Sequence, residues 1–190
     1  MTNPLLSMDG LPPFSQIKPE HVKPAIEQAI ADCKARIAEV LKQTEPQTWD
    51  SLVAPLEEVD DRLGRIWSPV SHLNSVVNSN ELREAHDGCL PLLSEYQTFV
   101  GQHEGLYQAF QQLAASDEYP RLSEPQRQQI ENTLRDFRLS GAELPDDQKP
   151  RFQAIQEEMA GLGAKFSENI LDATNAYAHI VSVESELAGL

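Results

Sequence analysis

Two imidazoles four residues apart on a helix, with a glutamate directly after the first, hold a zinc ion and activate a water; His-Glu-x-x-His is the written form of that chemistry. The nearest approach in this chain is His103-Glu104-Gly105-Leu106-Tyr107, where Tyr107 stands in place of the second imidazole. His103 also falls in step with Phe99 and Phe110 on an apolar stripe, which reads as a core or boundary histidine. Ferritin-like bundles place a Glu three residues before each metal-binding His. Here the residues three before His21, His72, His86, His103 and His179 are Lys18, Pro69, Arg83, Val100 and Ala176, none of them acidic. His86 and Cys89 lie about one turn apart, yet two donors do not close a metal site. The acid pairs Glu57-Glu58, Asp60-Asp61 and Glu157-Glu158 have the chemistry for proton transfer. Set between the apolar positions of helices, they read instead as wet faces. No Gly-x-Ser-x-Gly elbow, phosphate-cradling glycine loop or Cys-x-x-Cys is present. The sequence thus assigns no catalytic, cofactor-binding or metal-ligating residue to this chain.

The elements that would carry such residues are helices. Residues 1–18 hold Pro4, Gly10, Pro12 and Pro13 among scattered apolar side chains, which predicts an extended arm pinned to the body. Val22, Ile26, Ala29, Cys33, Ile37 and Val40 then recur at three- and four-residue steps, one face of an amphipathic helix. After Thr48, a plausible N-cap, the series Leu52, Leu56, Val59, Leu63, Ile66, Val70, Leu73 and Val77 predicts a second helix, kinked or split at Pro69. A third pattern runs from Leu82 to Leu113, bent at Pro91, and a fourth carries Ile130, Leu134 and Phe137 with Gly141 just past its end. Pro145-Asp146-Asp147 opens the last helix, whose buried stripe is Phe152, Ile155, Met159, Leu162, Phe166 and Ile170. Tyr177, His179, Val181 and Val183 change the period to two and predict a short strand. The expected fold is all-α, a bundle of long, Pro-kinked antiparallel helices with that one strand near the C-terminus.

Charge and composition narrow the partners. Thirty acids against fifteen bases leave a formal net charge of −15, so nucleic acid and anionic membranes are poor partners. The one local cluster of Arg121, Arg127, Arg135 and Arg138 is interleaved with Glu124, Glu131 and Asp136, as on a mixed solvated face. The two cysteines, Cys33 and Cys89, sit at apolar positions and read as core filler in a reducing compartment. The first ten residues have neither a basic n-region nor an apolar h-region, and no apolar run approaches the ~18 residues of a membrane span. A cytoplasmic location is expected.

Five stretches, taken together in order and spacing, point further. They are Ile17-Lys-Pro-Glu-His-Val-Lys-Pro-Ala25; Thr48-Trp49 leading into Val53-Ala-Pro-Leu-Glu57; His72-Leu73-Asn-Ser-Val76 before Leu82-Arg83-Glu-Ala85; Asp136-Phe-Arg-Leu-Ser-Gly-Ala-Glu-Leu144 followed by Lys149-Pro-Arg-Phe-Gln-Ala-Ile155; and Phe166-Ser-Glu-Asn169 with Glu186-Leu-Ala-Gly189. From about Pro12 onward the chain resembles the N-terminal region of the M3 family of zinc metallopeptidases, the thimet oligopeptidase and neurolysin group. That resemblance implies a thermolysin-type zinc endopeptidase that cuts short peptides in the cytoplasm. It implies that the N-terminal helices wall a deep channel whose narrow access excludes folded proteins. The zinc, its motif and its third ligand, a Glu, belong to a separate region downstream in the family, so no catalytic residue is carried over to this chain. On this reading residues 1–18 are the arm, 19–175 the helical domain and 176–190 the start of the connection to the catalytic region. The expected partners are the remainder of the peptidase chain and, in the whole protein, short peptides. The alternative expectation is a non-enzymatic helical interaction or scaffold protein.

Overall fold

The computed structural model describes residues 3–7, 10–183 and 185. Its elements are α1 (Pro19–Val40), α2 (Ala54–Val76), α3 (Asn80–Asp87), α4 (Leu90–Gly101), α5 (Glu104–Ala114), α6 (Glu124–Leu139) and α7 (Lys149–Ala176). Short 3₁₀ turns lie at Phe14–Gln16 and Tyr119–Arg121, and a π turn at Trp49–Val53 leads into α2.

Several helices begin where local side chains satisfy N–H groups at their start. The Lys18 N–H donates to His21 Nδ1 at 3.2 Å ahead of α1, with Pro19 in the first turn. Thr48 Oγ1 accepts from the Ser51 N–H at 3.1 Å, and the Thr48 N–H donates back to Ser51 Oγ at 2.9 Å. Ser79 Oγ accepts from the Leu82 N–H ahead of α3. The Ser123 N–H donates to Gln126 Oε1 ahead of α6. Helix α6 stops at Gly141, whose φ of 87° lies in the left-handed region; the Ala142 N–H donates to the Phe137 carbonyl across the turn.

Burial gathers on α1 and α2. Val22, Ile26, Cys33 and Val40 of the first helix and Leu56, Ile66 and Val70 of the second lie in one buried core, and these two form the most extensive helix pair. Helix α3 also rests on α1, α5 pairs with α6 through Phe110 and Phe137, and α7 lies against α4. Leu5 from the N-terminal segment is fully buried in the same core, whereas Leu11 faces solvent.

Four expectations change. Of the kink or split expected at Pro69, the split does not occur: helical residues run on to Val76 with Pro69 itself buried. The packing of α2 on α1 outweighs the one hydrogen bond a proline removes. The long third pattern is three helices rather than one bent rod. Pro91, lacking an N–H, takes a first-turn position in α4, and His103 leaves helical geometry at ψ 99° to cap α5. The predicted stripe of α7 is not buried; no residue of that helix is. Finally, residues 177–183 form no strand, and Tyr177 and Ile180 are 76% and 86% exposed. Alternation alone makes no strand without a neighbouring edge to supply hydrogen bonds, and no strand exists among the described residues. The Glu186-Leu-Ala-Gly189 motif, with residues 184 and 186–190 of the expected connection, lies outside the described residues.

Candidate functional site

The three groups of the His103–Tyr107 segment diverge. His103 Nδ1 accepts from the Leu106 N–H at 3.2 Å, and its ring meets Phe99 edge-on at 5.2 Å between centroids. It is a helix cap, and its Nδ1 is already engaged. Glu104 Oε1 accepts from Gln108 at 2.9 Å in solvent, while the Tyr107 hydroxyl donates to Glu143 Oε1 at 2.7 Å. His86 stacks on Trp67 at 4.7 Å with its Nδ1 2.9 Å from Asp87 Oδ1. Cys89 is fully buried, and burial pushes its thiol up to about 11, so at neutral pH it stays protonated and is a poor ligand or nucleophile. Among the described residues no three His, Cys, Asp or Glu side chains form a metal-ligating group. These donors do not fit a zinc ion.

Two polar nodes join residues far apart in the chain, one of them through Asp60 of the Asp60-Asp61 pair. In the first, the Tyr96 hydroxyl of α4 donates to Asp60 Oδ1 of α2 at 2.9 Å, while the Cys33 thiol of α1 donates to the Val59 carbonyl at 3.4 Å. Three helices are thereby tied at one point. Desolvation raises the Asp60 carboxyl above the ordinary carboxylate range, and the Tyr96 hydrogen bond offsets part of this. Glu57, one turn earlier, is raised by desolvation and then by the Asp60 charge. Tyr96 is held protonated well above its usual range, chiefly by burial. Asp60 and Tyr96 line an open groove of about 460 Å³ between α2, α4 and α6, walled by Leu63, Trp67, Leu93 and Phe137. Its polar groups are the carboxylates of Asp60 and Asp136, a phenol and amide or hydroxyl side chains, an inventory suited to packing and hydrogen bonding. It has no activated nucleophile. Asp60 stands beside the apolar ladder, one residue after Val59, where spacing alone reads a solvated acid.

The second node joins α3 to α7. Arg83 forks onto Asp172 (Nη2–Oδ1 2.8 Å, Nη1–Oδ2 3.3 Å), and its Nε lies 3.5 Å from Glu168 Oε1. Arg83 pulls Asp172 below its usual range, while desolvation and then Asp87 raise Glu168. Eighty-nine residues separate Arg83 from Asp172, so no local pattern announces the pair.

Residues 26–149 match the family model of the neurolysin/thimet oligopeptidase N-terminal domain, and the chain belongs to that family. Over all 190 residues it is 54% identical to oligopeptidase A of Haemophilus influenzae and 53% identical to oligopeptidase A of Escherichia coli, in each case covering 28% of the relative. It is 35% identical over 189 residues to a probable cytosolic oligopeptidase A of Arabidopsis thaliana, covering 27% of it. The chain therefore spans only a little over a quarter of the length of these curated relatives, the N-terminal part. No helix among the described residues is long and apolar enough to cross a membrane.

Proposed function

We propose that this chain is the substrate-access domain of a cytosolic zinc oligopeptidase. Its helices wall the approach to a catalytic region carried by the rest of the protein, and the chain alone has no peptidase activity. The observation that supports this reading is the register of the match. All of this chain aligns with the N-terminal 28% of oligopeptidase A at more than half identity. Zinc, by the same reading, is bound by the downstream region, consistent with donors here that are capped, stacked or protonated. The net charge of −15 and the hydrogen-bonded helix joints support the reading of this domain as a wall that limits substrates by size.

The test is a length series. The chain continued to the length of its relatives should hydrolyse peptides of about ten residues and leave a folded protein of the same cleavage sequence intact. Equal cleavage of the folded protein would remove the access role.

A further inference from the structure

Helix α7 has three faces where an amphipathic helix has two. At about 100° per residue, the half-buried Gln156, Ala160, Ala164, Glu168 and Leu171 fall on one ridge, the face turned to the body. Arg151, Glu158, Lys165 and Asn169 form a wet face. Ile155, Met159, Leu162, Phe166 and Ile170 form a third, centred roughly 140° from the docked ridge. These five are 39%, 61%, 60%, 66% and 52% exposed. A contiguous row of large apolar side chains of this kind marks a surface that another element covers.

Two further features describe the cover. Gly161 and Gly163 flank Leu162 in the helix interior, and a Cβ built on either would meet nothing within 4 Å. Each glycine costs the helix about 1 kcal/mol against alanine, and each leaves room for close approach of another backbone. Beside them a cleft of about 560 Å³ runs between α7 and the C-terminal end of α2, lined by Met159, Gly163, Ile170, Ser71 and Asn74. The row itself carries no charge, so the partner presents an apolar face.

We infer that the Ile155–Met159–Leu162–Phe166–Ile170 face of α7 is an interdomain seam, covered in the longer protein by an apolar face of the polypeptide that follows this domain. The inference rests on the reading of the chain as the front part of a larger peptidase. Its occupant is set by length: the relatives continue for more than twice the length of this chain, and the match runs through α7 itself. Small residues on the docked ridge and the Arg83 fork hold α7 in place while its apolar face stays open to receive that segment.

Thiol labelling tests this directly, because Cys33 and Cys89 are buried and add little background. Phe166→Cys and Met159→Cys would be placed in the 190-residue chain and in the chain continued to the length of its relatives, with Glu158→Cys on the wet face as control. Rates are read with 5,5′-dithiobis(2-nitrobenzoate) and corrected for the unsubstituted parent. In the short chain all three should label at similar rates. In the long chain the first two should slow at least about tenfold, with Glu158→Cys unchanged. Equal labelling of Phe166→Cys in both lengths overturns the seam. Protection that grows with concentration in the short chain and is missing in the long one also overturns it, assigning the face to a second copy. Peptidase activity is scored separately: a long chain that shields Phe166→Cys without cleaving peptides removes the peptidase reading alone, and one that cleaves peptides with Phe166→Cys unshielded removes the seam alone.

Discussion

The Tyr96 hydroxyl reaches the Asp60 carboxylate at 2.9 Å, and Tyr96→Phe removes that donor while leaving the ring in place. Urea unfolding should then show a loss of about 1 kcal/mol, held to that size by solvent around the carboxylate. Asp60→Asn keeps an oxygen acceptor for the hydroxyl and removes the charge, so its loss should be smaller than that of Tyr96→Phe. The pH dependence follows from the direction of the shift. A carboxyl raised in the folded state takes its proton more readily folded than unfolded, so its cost to stability is present at neutral pH and relieved as pH falls through the raised value. Asp172 has the opposite sign. Arg83 lowers it, so its contribution is present above the ordinary aspartate range, near pH 4, and is lost as pH falls through the folded value. Asp60→Asn should flatten the first trend, and Arg83→Met the second, in unfolding curves measured between pH 3 and 7. A wild-type profile matched by both variants would contradict these assignments.

At the scale of elements, α6 ends and α7 attaches through features open to single substitutions. Gly141 combines a left-handed φ with a Leu144 side chain 2.5 Å from where a Cβ would stand. Gly141→Ala should therefore cost about 1 kcal/mol or more, read as a lower urea midpoint with an unchanged slope. Arg83→Met should loosen α7 while leaving α1 and α2 protected, visible as faster hydrogen exchange confined to residues 149–176. Uniform acceleration across the chain would show instead that α7 and the core open together.

At the scale of the molecule, the helices that bury a full face were legible in the sequence: the ladders of α1 and α2 and the Gly141 stop stand where periodicity and turn chemistry place them. What stayed hidden depends on tertiary neighbours. The α7 stripe is as regular as that of α1, but periodicity reports an apolar face without saying what covers it. The residue 177–183 alternation has the right period and no edge to pair with. His103 was placed by its spacing near Phe99, which it does contact, yet its role as a cap follows from a helix break that spacing did not show. The Tyr96–Asp60 and Arg83–Asp172 nodes join residues 36 and 89 positions apart, beyond the reach of any local rule. Family membership was readable because it rests on residue identities spread over the whole chain, which three-dimensional context does not alter.

Under the proposed function the chemistry belongs to the longer protein and the architecture of access to this domain. One quenched-fluorescent peptide substrate tests it, assayed with the 190-residue chain and with the chain continued to the length of oligopeptidase A. Only the longer protein should hydrolyse the peptide, and a chelator should abolish that activity and added zinc restore it. Chelator-sensitive hydrolysis by the 190-residue chain alone, or a longer protein with none, would contradict the account.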